Sequence, residues 1–502
     1  TVIVKRYAVR GPLDWVKYTF RASRALQEGR IGRWLDAAAI DTAVPLAMAE
    51  RRGPVLRDAA LVTREIPDAL HLNAFVEQHL GVGEAGAALR GELYDRLARV
   101  VRRMHDAGFV HNDLHGGNVL VNGGPDAPGI HVIDLHSVQR FGAGRAPARR
   151  RWFDLLKLLH SMLTCSTPAE RARVCRVYEA AGDGPSGTPA TVLAAGGGFA
   201  AELEPRLLAM ERKRVTSRTR RCLDRSSRHE IGRAGPYRVH HLRTIDPADL
   251  LAPLEAHRRT LAAGGAAVLK DARRSALTRQ TLPVDGTPRS VIVKEYRCAR
   301  LSERLKNLVR RPRAIAAWVA GNGLLVRGYD AAEPLALLLR GRGPGLREAF
   351  VVMEDLGDAA RLDLVALDRF AGDLDPPERA RKHTLVEEVA RTVRRLHAEG
   401  VYHADLKAVN LFLGADGGRA GLVCAASARV EFDRPVTPRR RIKNLAQLSA
   451  SVPVCISVAD RLRFFRTYAG DDARMLENWK RWFARIMADC ERKIVVRMEP
   501  IE

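Results

Sequence analysis

His111-Asn112-Asp113-Leu114-His115-Gly116-Gly117-Asn118 and His403-Ala404-Asp405-Leu406-Lys407-Ala408-Val409-Asn410 are two copies of one loop, His-x-Asp-Leu-x-x-x-Asn. Each follows a helical stretch that ends in a matching run, Arg102-Arg103-Met104-His105 in the first copy and Arg394-Arg395-Leu396-His397 in the second. Each also leads into an apolar strand. The spacing has a chemical reason. Phosphoryl transfer needs little covalent help from a protein: an aligned acceptor hydroxyl, a carboxylate to take its proton, and neutralisation of the charge on the transferred group. In such a loop the Asp faces the hydroxyl and the Asn five residues later reaches a metal ion. Asp113 and Asp405 are therefore candidate catalytic bases, and Asn118 and Asn410 candidate metal ligands.

Working outward, the repeat extends over most of the chain. Thr1-Val2-Ile3-Val4-Lys5-Arg6-Tyr7 returns as Ser290-Val291-Ile292-Val293-Lys294-Glu295-Tyr296, at an offset of 289 against 292 for the loops. A period of that length means duplicated domains, not a solenoid. Lys5 and Lys294 end apolar strands and are expected to meet nucleotide phosphates, each oriented by a Glu on the next helix. The first copy offers Glu28 on a helix expected over Lys17 to Leu35. The second, with its helix over Pro312 to Leu325, has Ala317 at that position. Further strands are expected around Ala59 to Arg64 and Ala349 to Met353. A second metal-holding carboxylate should close the apolar strand after the loop. Asp134 does so in the first copy, and alignment by the strand gives Glu431 in the second, with a longer side chain. A turn within Val268 to Thr278 is the candidate phosphate cover of the second copy.

The chain has 502 residues, 83 Lys+Arg and 58 Asp+Glu, hence a net charge of +25. Such a field attracts polyanions or an anionic membrane surface. Seven scattered cysteines without a Cys-x-x-Cys pair indicate neither a disulfide framework nor a zinc site. No apolar run is long enough to span a bilayer. The Gly-, Ala- and Pro-rich stretch Gly182 to Gly198 reads as a linker, and the basic run Arg212 to Arg233 as the start of the second amino-terminal lobe. The expected domains are residues 1–210 and 211–502. Because Thr1 falls within a strand, an upstream counterpart of the stretch from Arg220 to Arg289 is expected.

These pieces together resemble the lipopolysaccharide kinase family, which phosphorylates Kdo or heptose of the inner core. Carrying the resemblance are Val4 to Tyr7, Ser23-Arg24-Ala25 with Glu28, both loops, and Glu431-Phe432-Asp433-Arg434. It implies an α+β fold of two tandem protein-kinase-like bilobal domains, the first lacking the start of its amino-terminal lobe. It further implies ATP and Mg²⁺ as cofactors, Asp113 as base, Asn118 and Asp134 as metal ligands, and Lys5 with Glu28 positioning ATP. Departures at Ala317 and Glu431 place the fuller catalytic set in the first copy. Expected partners are ATP, a glycolipid or small-molecule acceptor, and the anionic face of the inner membrane from the cytoplasmic side, met through Arg149 to Arg151 and Arg218 to Arg228.

Two other readings compete. The first loop is also similar to that of aminoglycoside and choline phosphotransferases. A non-catalytic basic binding protein with kinase-derived folds is the other, yet 6% aromatic residues without aromatic-basic interleaving argue against a nucleic-acid partner. His115 is expected to pack the loop, and His111 and His403 to brace it.

Overall fold

The computed structural model describes residues 1–9, 11, 18, 21–53, 55–81, 83–143, 145–181, 199–297, 310–357, 360–413 and 430–493. The stretch Gly182 to Gly198, most of the part of the expected first helix that precedes Arg21, Cys298 and Cys424 lie outside these residues. The chain forms two compact units, Thr1–Glu211 and Arg212–Glu502. Both combine helices with antiparallel sheets.

In the first unit, β1 (Val2–Ala8), β2 (Pro45–Arg52) and β3 (Leu56–Arg64) form a sheet in the order β1-β3-β2, covered by helix α1 (Arg24–Ala37). Ser23 starts α1 by accepting the Leu26 N–H at 3.1 Å, the usual role of a capping hydroxyl. The helix-rich part follows: α2 (Ala87–Asp106), α3 (Ala148–Ser161) and α4 (Pro168–Ala180), with α5 (Phe199–Arg220) crossing the unit boundary. Leu93, Leu97, Val101 and Met104 recur at helical spacing on α2 and are fully or almost fully buried. Each such side chain contributes about 1.5–3 kcal/mol by leaving water. Short pairs surround the loop between α2 and α3. These are β4 (Leu70–His71) with β6 (Val119–Asn122), β6 with β7 (Gly129–Val132), and β5 (Phe109–Val110) with β8 (Gln139–Arg140).

The second unit opens with β9 (His229–Ala234), β10 (Tyr237–Leu242) and α6 (Leu251–Ala263), then β11 (Val268–Ala272), β12 (Ser275–Val284) and β13 (Thr287–Tyr296). Helix α7 (Arg313–Val326), β14 (Pro334–Arg340) and β15 (Glu348–Glu354) complete a seven-stranded sheet, β11-β12-β13-β15-β14-β10-β9. Its β13-β15-β14 portion repeats β1-β3-β2. Lys5 stands opposite Leu61 as Lys294 stands opposite Val351. Beyond it come β16 (Ala360–Arg361), α8 (Leu362–Phe370), α9 (Pro376–Ala398), β17 (Tyr402–His403), β18 (Phe412–Leu413), β19 (Val430–Glu431), α10 (Pro438–Ser449), α11 (Val458–Ala469), α12 (Ala473–Glu477) and α13 (Trp479–Glu491). Among the described residues, no helix is long and apolar enough to cross a membrane.

Candidate active site

Lys5 and Glu28 meet because β1 and α1 pack together. Lys5 Nζ donates to Glu28 Oε1 at 3.2 Å and Oε2 at 3.1 Å, and is also paired with the Asp134 carboxylate. Glu28 sits on the buried face of α1, 7% exposed, and accepts the Tyr7 hydroxyl. Burial, then Glu28, pushes the Tyr7 phenol far above its ordinary range, so that hydroxyl keeps its proton. Asp134 follows β7 in a left-handed conformation, φ 60° and ψ 55°, which Asp tolerates better than most residues. His136 Nδ1–H donates to Asp134 Oδ1 at 2.8 Å. Burial opposes the charge on Asp134, but Lys5 and His136 outweigh it and hold the carboxyl below the ordinary carboxylate range. Ligand atoms of Glu28, Asp134 and His136 lie within 4.8 Å of one another.

The catalytic loop is held from beneath. Asp154 on α3 is wholly buried and accepts the backbone N–H groups of His111, at 2.6 Å, and Asn112, at 2.8 Å. Behind it, His105 Nδ1 accepts the Tyr178 hydroxyl at 2.7 Å and Nε2–H faces Asp154 Oδ2 at 3.4 Å. His111 Nε2–H donates to the Ile133 carbonyl at 3.0 Å, so it braces the loop as expected of it. His115 Nδ1 accepts the Gly117 N–H at 3.1 Å. Asn118 donates its amide to the Asp113 carbonyl at 2.9 Å, leaving the amide oxygen as the atom suited to a cation. Asp113 is half exposed, and Lys157 Nζ stands 3.2 Å from its Oδ1 and 2.5 Å from the Asn112 carbonyl. Neither Asp154 nor Lys157 stood out in the sequence, where both look like part of an ordinary amphipathic helix.

The second unit keeps the scaffold and changes the chemistry. His397 Nδ1 meets the Tyr468 hydroxyl at 2.7 Å, as His105 meets Tyr178. Asn444 occupies the place of Asp154, but its amide donates to the His403 carbonyl at 2.7 Å instead of accepting backbone N–H groups. Asn410 donates to the Asp405 carbonyl at 2.8 Å, and Lys407 approaches Asp405 to 3.1 Å. Burial opposes the Asp405 charge, and Lys407 with Asn410 more than compensates, keeping its carboxyl below the ordinary range. Lys294 is pushed down to about 8, first by burial and then by Lys270 and Arg313. Lys294, Asp405 and Asn410 line a cleft of about 950 Å³. Ala317, fully buried, offers no carboxylate there.

Glu431 does not stand where Asp134 stands. It pairs with Tyr402 across β17 and β19 as Gln139 pairs with Val110 across β5 and β8. It is held by Arg440 at 2.8 Å, as Gln139 is held by Arg150 at 2.9 Å. Glu431 is thus the counterpart of Gln139, and the same offset of 292 sets Ala426, outside the described residues, against Asp134. In sequence the two look alike because each follows an apolar residue, Ile133 before Asp134 and Val430 before Glu431, but Asp134 stands beyond the end of β7 whereas Glu431 lies within β19. The basic run Arg149 to Arg151 is likewise not one solvated patch. Arg151 is buried and faces Asp106 at 3.8 Å, while Arg150 reaches Asn112 at 3.2 Å.

A strand lysine paired with a helix glutamate, with a carboxylate and an amide-bearing loop beneath them, defines a phosphotransferase of the kinase type. The chain belongs to the lipopolysaccharide kinase (Kdo/WaaP) family, whose pattern matches residues 10–178 and 267–468. It is similar to the lipopolysaccharide core heptose(I) kinase WaaP of Pseudomonas aeruginosa, 32% identical over 227 residues that make up 43% of this chain and 81% of that protein. The heptose(I) kinase WaaP of Escherichia coli K12 is 27% identical over 213 residues, 40% of this chain and 77% of that protein. The 3-deoxy-D-manno-octulosonic acid kinase of Vibrio cholerae is 27% identical over 113 residues, 22% of this chain and 43% of that protein.

Proposed function

We propose that this protein transfers a phosphoryl group from ATP to a sugar hydroxyl of the lipopolysaccharide inner core, heptose or Kdo, and that the first unit performs the transfer. The observation that carries this reading is the convergence of Lys5, Glu28 and Asp134 above the loop bearing Asp113 and Asn118. Both units are read as bilobal kinase-like domains in tandem. The second is a degenerate copy, having Ala317 for Glu28 and a strand register that sets Glu431 against Gln139.

Asp113 would accept the proton of the attacking hydroxyl, and its half-exposed position leaves room for a saccharide. Lys157 beside it would keep a positive charge next to the oxygen that loses that proton. Lys5, fixed by Glu28, would hold the nucleotide phosphates. Oxygen ligands from Asp134 and Asn118 suit a hard cation such as Mg²⁺, which when bound neutralises charge on the phosphates. Asp154 keeps the loop backbone rigid, so that Asp113 is placed before the acceptor arrives. An acceptor carried on a lipid would bring the protein to the anionic face of the inner membrane, where its charge of +25 favours peripheral attachment.

Labelled ATP offered with deacylated lipopolysaccharide, an aminoglycoside panel and a generic protein tests the reading. Label is expected in the core saccharide. Label only in an aminoglycoside would replace the reading with a small-molecule phosphotransferase, and no transfer at all would favour a binding protein.

A further inference from the structure

A second cleft of about 860 Å³ lies in the first unit between α1 and residues 136–141. Arg21, Arg24, Arg30, Arg140 and Arg150 line it, and no Asp or Glu is among its described lining residues. Several arginines elsewhere in this unit pair with a carboxylate, Arg6 with Asp58, Arg52 with Glu50, Arg171 with Glu204 and Arg173 with Asp95. The five in the cleft form no ion pair with a described carboxylate. Arg140 lies over the Trp34 ring at 4.4 Å, and Arg150 donates to the neutral Asn112 and Gln139. Glu50, which senses Arg30 at longer range, is already taken by Arg52.

Like charges gathered in a concavity repel one another and focus a positive potential, which an anion relieves. Guanidinium forks match phosphate and carboxylate geometry better than any other side chain. The stacking of Arg140 on Trp34 fixes one fork in advance, which lowers the cost of ordering it on binding. Two contacts tie the cleft to the reaction centre: His136 lines it and donates to Asp134 at 2.8 Å, and Arg150 reaches Asn112, the chain neighbour of Asp113, at 3.2 Å.

We propose that this cleft binds the anionic groups, phosphate or carboxylate, of the saccharide acceptor and holds it against Asp113. The identity of the acceptor rests on the sugar-kinase reading above; the anion site rests on the cleft alone. Because Arg24 and Arg30 belong to α1 whereas Arg140 and Arg150 lie beyond the catalytic loop, one bound anion would bridge them.

The test measures equilibrium binding of deacylated inner-core oligosaccharide to the full chain carrying Asp113→Asn, and steady-state kinetics on the otherwise intact chain. Arg24→Gln, Arg30→Gln and Arg140→Gln should each weaken oligosaccharide binding by about ten- to a hundredfold, as expected for a hydrogen bond to a charged group. In the active chain they should raise KM for the saccharide by a similar factor while KM for ATP stays constant, which also shows that the variants fold. The corresponding Lys substitutions should recover part of the loss. Arg99→Gln, on the exposed side of α2, should change neither parameter. Oligosaccharide stripped of its phosphates should bind more weakly than the intact form. Unchanged affinity in the three Gln variants overturns the proposal, as does inorganic phosphate binding as tightly as the oligosaccharide. Turnover with unaltered saccharide KM removes the cleft and leaves the kinase reading standing. Loss of oligosaccharide binding in a chain that transfers no phosphoryl group does the reverse.

Discussion

Asp154 shows how one side chain decides what a loop can do. It has no exposed surface, and its carboxylate accepts two consecutive backbone N–H groups of the catalytic loop. Hydrogen bonds to a charged group stabilise by about 1.5–3 kcal/mol, and an unmade one in a dry site costs a comparable amount. Asp154→Asn replaces one acceptor oxygen by a donor facing a donor. We expect the first unit to lose about 1.5–3 kcal/mol in urea unfolding and kcat to fall with little change in KM for ATP. An unchanged unfolding midpoint would show that the loop is held elsewhere. Lys157→Met should lower kcat and leave folding nearly untouched, because its ammonium meets Asp113 at a partly exposed position. The base and its Asn were legible in the sequence because the loop chemistry fixes their spacing. Asp154 was not, since Trp152, Leu155, Leu156 and Leu159 around it already account for a buried helix face. Nothing local announces that a carboxylate on that face meets a backbone brought from forty residues away.

Elements position these residues through a few close approaches. Gly32 on α1 has no room for a side chain, since a Cβ there would stand 2.6 Å from Pro45 Cγ of β2. Gly321 on α7 repeats the arrangement, with a Cβ 2.5 Å from Pro334 Cγ of β14. The helix therefore lies directly on the sheet, which is how Glu28 reaches Lys5. Gly32→Val should push α1 outward, costing about 1–3 kcal/mol by overpacking. A displacement near 1 Å at the Glu28 carboxylate should lower kcat by about a hundredfold. Gly321→Val should destabilise the second unit to a similar degree without affecting transfer, and a kinetic loss there would mean the units have been assigned in the wrong order. Strands around Lys5 and Lys294 were readable from the repeat, and the structure extends them to Val2–Ala8 and Thr287–Tyr296. The second helix was readable to within a residue, expected over Pro312 to Leu325 and found at Arg313–Val326, whereas α1 begins at Arg24, after its capping Ser23, and not at Lys17. β9, β10 and α6 carry no such signal in the sequence, since the first copy in this chain holds no counterpart of them and β10 sets His240 and His241 among its buried residues.

At the scale of the molecule, duplication has kept the buried scaffold and divided the chemistry. The His–Tyr pairs are the same in both units, whereas the carboxylates at Glu28 and Asp154 have become Ala317 and Asn444. Asp113→Asn should reduce transfer by about 10²- to 10⁴-fold, the range for a positioned acid or base. Asp405→Asn should have much less effect, and equal losses would contradict the division. The shared scaffold also predicts a response to acid. Burial pushes His105 and His111 below the ordinary histidine range, and pushes His240, His397 and His403 down to about 4. A histidine whose folded pKa lies below its unfolded value, about 6.5, binds fewer protons in the folded state than in the unfolded one. Unfolding then takes up protons, so this stability is complete above the unfolded pKa and is lost as pH falls from there towards the folded values. The carboxyls of Asp134, Asp405 and Asp460 are held below their ordinary range, so they too favour the folded state at higher pH, and their contribution is lost below the unfolded carboxyl pKa, about 3.9, where it adds to the decline. Calorimetric Tm should therefore decline between about pH 6.5 and pH 4 in both units, with each histidine contributing up to about 1.4 kcal/mol per pH unit between its two pKa values. His403→Gln should make the decline shallower in the second unit, even if it lowers Tm at pH 7.5. A Tm that stays level from pH 7 to pH 5 would mean that these imidazoles are hydrated and do not sit in dry sites.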